Sequence, residues 1–199
     1  MFSKRMLAAG LGVALLGVLL VVALARAIPP TNTGWGTQAD APQYLPWTPG
    51  KAVWVSQGPY GDYSHRGEKS RFSWDFLIGI HEPVLTGVAG EVVLTFGGCD
   101  ILDSQECGDG WGNHALLRVK DGTCARFAHL ATVAVKREQR VAVGTPIGTV
   151  GSSGHSTEPH LHYQREECAT GRALPSRFIE AGVPQAGGEV TSALGRKLD

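Results

Sequence analysis

Between residues 151 and 162 the chain reads GSSGHSTEPHLH, a turn-forming run that ends in two histidines separated by one residue. Pro159 marks the entry to a strand, where a missing backbone donor costs least. Side chains at positions i and i+2 of a strand share a face, so His160 and His162 should point into one site while Leu161 turns toward apolar packing. Two imidazoles on one strand supply half of a zinc site, because zinc takes about four N, O or S ligands at roughly 2.0–2.3 Å.

The N-terminal segment predicts export. Lys4 and Arg5 precede an apolar run over residues 6–24, and Ala25-Arg26-Ala27 supplies an A-x-A cleavage site. This pattern is typical of a secretory signal peptide over residues 1–27. The apolar run is also close to the length of a membrane span, so an uncleaved N-terminal membrane anchor stays open as the alternative. Either form places the remainder of the chain in the periplasm or outside the cell.

The charge balance argues against a nucleic-acid partner. Without residues 1–27, which carry three basic and no acidic residues, 172 residues remain with 15 basic and 18 acidic side chains. No basic run is left to bind phosphates, and contact with a membrane is expected only if the N-terminal segment stays attached. This length suffices for one domain with a sizeable core, and a monomer is expected.

Four cysteines lie in the exported part of the chain: Cys99, Cys107, Cys124 and Cys168. An even number in an oxidising compartment predicts two disulfides, for which three connectivities exist. The first two cysteines flank a short loop, so a local Cys99–Cys107 bond is expected, which leaves Cys124 to pair with Cys168. Zinc binding by cysteine is disfavoured because no C-x₂₋₄-C pair occurs.

The remaining sequence predicts an all-β domain, an antiparallel sheet or sandwich with short loops and little helix. The proline-rich residues 28–50 suggest a linker or arm, residues 51–182 the domain itself, and residues 183–199 a loose C-terminal tail. The chain contains 27 glycines and many short β-branched runs, which favour strands joined by tight turns. Asp121-Gly122 between two alternating segments is the clearest hairpin signal.

Asp75 is a further candidate ligand. It lies in the apolar stretch 71–78, where alternation places Trp74 and Phe76 on the face opposite Asp75. A carboxylate in the middle of an apolar strand is costly unless its charge is compensated. A metal ion would compensate it, and a buried hydrogen-bonded Asp is the alternative.

These segments resemble the lysostaphin- or LytM-type zinc metalloendopeptidases, which are peptidoglycan hydrolases with the duplicated hybrid motif fold. The resemblance rests on the run around His160 and His162, on Ala128-His129-Leu130, on Trp111-Gly112-Asn113 and on the glycine-turn hairpin at residues 84–93. It extends from about residue 65 to about residue 164.

The resemblance implies one zinc ion per chain, held by His65, Asp75 and His162. It also implies that His129 and His160 are catalytic histidines that do not bind the metal. Three protein ligands leave a fourth position open for water, as hydrolytic zinc sites require.

Two positions depart from the family pattern. The usual first histidine lies four residues before the aspartate, where this chain has Arg71. His65 lies ten residues before Asp75, so a longer loop must bring it back, and His81 is the next candidate should His65 not bind. Glu158 stands where the family usually has glycine. Its carboxylate could contact substrate amines, or it could be a solvated charge on a loop.

Other residues of interest have plain structural interpretations. His114 is expected to be a packing histidine and His81 a surface residue, whereas His155 could line the groove or lie in solvent. Three tryptophans could form an aromatic groove or pack in the core and linker: Trp35, Trp47 and Trp111.

The sequence therefore predicts an exported zinc-dependent endopeptidase that hydrolyses peptide bonds of bacterial peptidoglycan. The alternative is a non-catalytic wall-binding or hydrolase-activating domain of the same fold. All five implied site residues are present, which favours the enzyme. A carrier-type domain of similar topology is disfavoured by Asp75 and by the export signal.

Overall fold

The computed structural model describes residues 43–102 and 104–195. The signal peptide or anchor predicted for residues 1–27 lies outside these ranges. Within them no helix is long and apolar enough to cross a membrane. The same ranges form strands, turns and bends and contain no helix, which confirms the all-β prediction.

Eleven strands occur in the described part of the chain. Their bounds are β1 Ala52–Gln57, β2 Trp74–Leu77, β3 Pro83–Leu85, β4 Gly90–Phe96, β5 Asn113–Val119, β6 Cys124–Val133, β7 Arg140–Val141, β8 Pro146–Val150, β9 Leu161–Glu166, β10 Ala173–Leu174 and β11 Glu189–Thr191.

The strands pair antiparallel in the order β11-β1-β2-β9-β6-β5-β4-β7, while β3 and β8 form a second pair that joins β6. The histidine-bearing strand β9 therefore lies between β2 and β6. Its register places His162 opposite Asp75 on one side and opposite Ala128 on the other.

The apolar face of this sheet supplies the core. Trp74, Phe76, Phe127 and Tyr163 are all 0% exposed, as alternation along β2, β6 and β9 requires. Phe178 contacts three of these rings at 5.2–5.8 Å between centroids, in edge or tilted geometry. The opposite face of β2 and β9 is left for polar side chains.

Described residues on both sides of the predicted domain are part of the packed unit. Leu45 and Trp47, from the segment assigned to the linker, are buried, and the Trp47 indole donates to the Lys51 carbonyl at 2.9 Å. Strand β11, from the segment assigned to the tail, pairs with β1. Proline content indicates an extended backbone but not whether its few apolar side chains find a partner surface.

The structure has both expected disulfides, Cys99–Cys107 and Cys124–Cys168, with Cα–Cα distances of 5.9 and 5.1 Å. The second joins the start of β6 to the residues that follow β9. The first closes the loop between β4 and β5, which lies against the turn that leads into His160.

Candidate metal centre

Three side chains from distant parts of the sequence meet at the polar face of the sheet. The possible ligand atoms of His65, Asp75 and His162 all lie within 4.8 Å of one another. Asp75 Oδ1 is 3.3 Å from His65 Nε2 and 2.9 Å from His162 Nδ1. All three residues are buried. The ten-residue spacing between His65 and Asp75 is therefore compatible with a shared site.

A series of turns between β1 and β2 returns His65 to the sheet. The loop, residues 58–73, is closed by a hydrogen bond from the Tyr60 amide to the Arg71 carbonyl at 2.8 Å. The His65 amide donates to Gly61 at 3.1 Å, and its ring Nδ1 lies 2.9 Å from the Gly58 carbonyl oxygen. The backbone of the loop thus sets both the position and the orientation of the imidazole.

The hydrogen bonds determine which ring nitrogens carry protons. A carbonyl oxygen only accepts, so His65 Nδ1 donates to Gly58, which leaves Nε2, facing Asp75, as the ring nitrogen that can bind a metal. His162 is oriented the other way: its Nε2 lies 3.1 Å from Gln164 Oε1, and its Nδ1 faces the Asp75 carboxylate. His65 Nε2 is buried and has no hydrogen-bond partner among the described residues.

Two nitrogen lone pairs and one carboxylate oxygen directed at a common point repel one another unless a cation lies between them. Nitrogen and oxygen donors of this kind suit zinc. The residues present therefore fit the zinc ion that the sequence predicts.

His129 and His160 stand beside this group. His129 Nδ1 lies 2.8 Å from the Ser153 carbonyl oxygen, and His160 Nδ1 lies 2.8 Å from the Glu158 carbonyl oxygen. Both rings therefore donate through Nδ1 and present Nε2 lone pairs. The two ring centroids are 4.8 Å apart, and His160 Nε2 is 3.6 Å from Asp75 Oδ1.

A backbone irregularity aims His129 at the site. Its φ of 59° lies in the left-handed region, and the pairing of β6 with both β5 and β8 shifts register beside it. A bulge of this kind redirects a side chain that a regular strand would place elsewhere. The conformation of a non-glycine residue at positive φ costs about 1–3 kcal/mol and persists only where its surroundings impose it.

A match to Peptidase family M23 covers residues 73–174, about half of the chain. This range holds Asp75, His129, His160 and His162, all gathered at one site. The chain belongs to peptidase family M23. His65 and its loop lie before the matched range, in accordance with the departure from the family spacing noted in the sequence.

Relatives in this family include peptidoglycan DD-endopeptidase ShyA of Vibrio cholerae, 33% identical over 112 residues that make up 56% of this chain and 23% of ShyA. Lysostaphin of Staphylococcus staphylolyticus is 34% identical over 122 residues, 59% of this chain and 24% of lysostaphin. The chain thus spans about a quarter of the length of these relatives.

Solved structures of M23 proteins share the fold. Pseudoalterin, an M23 metalloprotease from the deep sea, superposes with a TM-score of 0.51 and 16% identity over 69% of this chain and 76% of its own. The catalytic domain of the prophage-encoded M23 protein EnpA from Enterococcus faecalis gives a TM-score of 0.50 and 22% identity, over 62% and 88% of the two chains.

The electrostatics of the M23 site set the charges of Asp75 and His129. Burial alone raises the pKa of Asp75, but the neighbouring His162, His65 and His160 outweigh it and hold that pKa well below its usual range. Burial, together with the neighbouring His160 and His162, lowers the pKa of His129 well below its usual value. Asp75 is thus an anion and His129 a neutral base near pH 7.

A cleft of about 310 Å³ opens over these groups. Its lining combines the site residues with the loop 58–73 and the turn that precedes His160: Ser56, Gln57, Tyr63, Ser64, Asp75, His129, His155, Ser156, Thr157, Glu158, His160 and His162. Glu158 and His155 are both exposed at the cleft, and Tyr63 is 72% exposed.

The other described residues singled out in the sequence lie in the core, beside the site or at the surface. Trp47 lies in the core, and Trp35 lies outside the described residues. Trp111 packs 5.2 Å from the His162 ring. His81 is exposed, as expected. His114 is buried against Phe96 with its Nδ1 2.8 Å from the Gly112 carbonyl oxygen, as a packing histidine should be.

Sequence reasoning missed the polar side chains that hold the site residues. Gln57 donates to Asp75 Oδ2 at 2.7 Å, and Gln164 accepts from His162. Ser153 donates through its hydroxyl to the Leu130 carbonyl and orients its own carbonyl toward His129. Gln164 could have been found by alternation, since it shares a strand face with His160 and His162. Gln57 and Ser153 carry no such signal.

Proposed function

We propose that this chain is a zinc-dependent endopeptidase that hydrolyses peptide bonds of bacterial peptidoglycan. The observation that carries the proposal is the arrangement of ring nitrogens around Asp75: His65 and His162 turn lone pairs toward the carboxylate, and His129 and His160 turn theirs toward the space beside it. A structural metal site would need a fourth protein ligand, whereas this set leaves one position open.

In this proposal the metal is held by His65 Nε2, Asp75 Oδ1 and His162 Nδ1. Zinc, when bound, supplies a Lewis acid that lowers the pKa of water to about 7 and polarises a peptide carbonyl. Gln57, through its bond to Asp75 Oδ2, keeps the other carboxylate oxygen facing the metal position.

In this proposal His129 and His160 transfer the proton of the attacking water and stabilise the charge that develops in the reaction. A neutral Nε2 on His129 or His160 can take a proton from water and then, as an imidazolium, donate it to the leaving amine. The hydrogen bonds from Nδ1 to the Ser153 and Glu158 carbonyls fix the tautomer and stabilise the imidazolium that forms. A positioned general base of this kind contributes about 10²–10⁴-fold to the rate.

The substrate class is supported by family membership and by relatives whose names state the bond they cut. ShyA is a peptidoglycan DD-endopeptidase, and ALE-1 of Staphylococcus capitis, 33% identical over 109 residues, is a glycyl-glycine endopeptidase. The non-catalytic alternative has no comparable support, since a domain that only binds would not need four oriented imidazoles and an anionic carboxylate in one cleft.

Export completes the proposal. Both disulfides require an oxidising compartment, and the pattern of residues 1–27 would take the chain there. The proposed substrate and the N-terminal signal thus both support a location in the periplasm or outside the cell.

Mass spectrometry of digests tests the function. The purified full chain is incubated with muropeptides cross-linked either through D-amino-acid stems or through glycine bridges. Cleavage of one class is expected, with loss of activity in chelator and recovery on adding zinc. Failure to cleave either class with zinc present, or cleavage unaffected by chelator, would refute the proposal.

A further inference from the structure

Behind His162 lies a line of buried polar side chains that the proposed chemistry does not use. Gln164 and Glu166 follow His162 on the same face of β9, and Arg126 lies beside them on β6. Gln164 is 0% exposed, Glu166 1% and Arg126 9%. Burying these groups is costly unless each has a partner, and here the partners form a continuous chain that ends at a metal ligand.

This series of hydrogen-bonded side chains begins with an ion pair. Arg126 Nε and Nη2 donate to the two carboxylate oxygens of Glu166 at 2.8 and 2.7 Å. The guanidinium also lies 4.5 Å above the Trp111 ring, which in turn covers His162. Toward the two parallel bonds from the guanidinium, both oxygens of Glu166 act as hydrogen-bond acceptors.

The carboxylate sets the orientation of the Gln164 amide. Glu166 Oε2 lies 2.6 Å from the Gln164 side-chain nitrogen, so that nitrogen donates. The amide oxygen must then face the other way, where the Ser73 hydroxyl donates to it at 2.6 Å. The reversed amide would place two oxygens against each other at the same short distance.

The amide orientation in turn selects the tautomer of His162. Gln164 Oε1 lies 3.1 Å from His162 Nε2 and can only accept from it. The proton therefore stays on Nε2, and Nδ1 keeps its lone pair directed at the metal position. A neutral histidine without this acceptor would place its proton on Nδ1, where the Asp75 carboxylate would accept it at 2.9 Å.

We propose that Gln164, oriented by Glu166 and Arg126, is a positioning residue that holds His162 in its metal-binding tautomer. Partners of this kind raise the basicity of the ligand, and their loss typically costs about 10–100-fold in metal affinity. The inference rests on the proposed zinc site, but it concerns a property of His162 that exists without the metal.

The first test compares two substitutions at one position. Gln164→Leu keeps the volume and removes the acceptor, whereas Gln164→Glu keeps an acceptor for His162 but places a second carboxylate beside Glu166. In a competition with a chromophoric chelator, Gln164→Leu should bind zinc about 10–100-fold more weakly than wild type, and Gln164→Glu should stay closer to wild type. A residue that served packing alone would give the reverse order.

Nitrogen NMR of the metal-free full chain, labelled on histidine, reads the tautomer directly. The His162 ring should carry its proton on Nε2 in wild type and on Nδ1 in Gln164→Leu. Gln139→Leu is the matched control, because the Gln139 side chain accepts from the Lys136 amide in a turn after β6, away from the site. The control should change neither zinc affinity nor the His162 signals.

Two results would overturn the inference: a wild-type His162 protonated on Nδ1, or undiminished zinc affinity in Gln164→Leu. These differ from a failure of the proposed function. A wild-type chain that binds no zinc or cleaves no muropeptide would refute the enzyme, while the tautomer measurement would still be decisive for Gln164.

Discussion

The proposed metal site is built in two ways, one from paired strands and one from loops. Asp75 and His162 lie directly opposite each other on β2 and β9, inside a sheet whose other face is the core. His65 comes instead from a loop, and its ring is held by the carbonyl of Gly58. Strand pairing positions ligands by a repeating geometry. In a loop, each residue is positioned by its own hydrogen bonds and contacts.

The two histidines that we propose to be catalytic show the same contrast. His160 forms a bridge to Gly151 at the entrance to β9 and shares a face with His162. His129 depends on a bulge with positive φ and on the turn 151–157, whose residue Gly154 packs so closely on Gly112 that a Cβ would lie 2.3 Å from the Gly112 nitrogen. We therefore expect changes in the loops to alter activity more than stability, and changes in the sheet to do the reverse.

The largest effect is expected for the two histidines with a proposed catalytic role, His129 and His160. His129→Ala or His160→Ala should lower the turnover of muropeptides by about two to four orders of magnitude, because proton transfer and charge stabilisation are lost while the metal site stays. Zinc content, measured by elemental analysis, should remain near one per chain. Loss of zinc in His160→Ala would make that residue a ligand, and unchanged turnover in both variants would favour a regulatory domain.

The two kinds of ligand should differ in how their loss is tolerated. His162→Ala should abolish stoichiometric zinc, because the neighbouring strand backbone cannot move to compensate. His65→Ala should weaken zinc by more than the roughly 100-fold typical of supporting residues but leave some binding, since water can enter from the loop side. Chelator competition measures both. Full zinc retention in His162→Ala would contradict the assignment, and retention in His65→Ala alone would direct attention to His81.

The two disulfides are expected to affect stability and activity in opposite orders. For chain separations of 44 and 8 residues, loop-closure entropy predicts stabilisation of about 4 kcal/mol by Cys124–Cys168 and about 2.5 kcal/mol by Cys99–Cys107. Paired Cys→Ser variants analysed by chemical denaturation should show this order.

Activity should follow the opposite order. The loop closed by Cys99–Cys107 accepts hydrogen bonds from the Ser152 and Gly154 amides at 2.9 Å, next to the turn that supports His129. Opening it should lower turnover by about 10²-fold or somewhat less, since small misplacements are costly in catalysis. Opening Cys124–Cys168 should leave turnover unchanged below the melting temperature. Equal losses of activity would contradict the distinction between loop and sheet.

A prediction that concerns stability alone involves the face of β9 that points away from the site. Arg165 is 0% exposed and donates to both carboxylate oxygens of Asp121, at 3.0 and 2.8 Å. Asp121→Asn should destabilise the fold by about 2–3 kcal/mol, less than a fully enclosed pair because Asp121 retains contact with solvent. Zinc affinity should not change; a decrease would show that the two faces of β9 are coupled.

The same pair predicts a pH dependence. Burial raises the pKa of Asp121, but the hydrogen bonds from Thr123 and the charge of Arg165 outweigh it, so that pKa lies below the ordinary value of 3.8. This contribution to stability is present above pH 3.8 and is lost as the pH falls through the lower pKa of the folded state. Melting temperatures of wild type should therefore approach those of Asp121→Asn in strong acid, and a constant difference would refute this explanation.

The strand-built half of the site could be predicted because alternation is a local property. The spacing of His160 and His162 indicated that the two side chains share a strand face. Asp75 within an apolar stretch indicated a buried charge that needs compensation. The all-β class, both disulfides and the family resemblance followed from similarly short patterns. Composition also placed residues 28–50 in a linker and residues 183–199 in a tail, although Leu45 and Trp47 are buried and β11 extends the sheet.

What only the tertiary structure decided was the direction of each ring and its proton. The sequence by itself determined that histidines and an aspartate were available and that two of them shared a strand face. The return of His65 through its loop, the left-handed turn at His129, and the line from Arg126 to His162 depend on contacts between residues far apart in the chain. Such contacts are set by packing and by hydrogen bonds to specific carbonyl groups, for which local sequence carries no periodic signal.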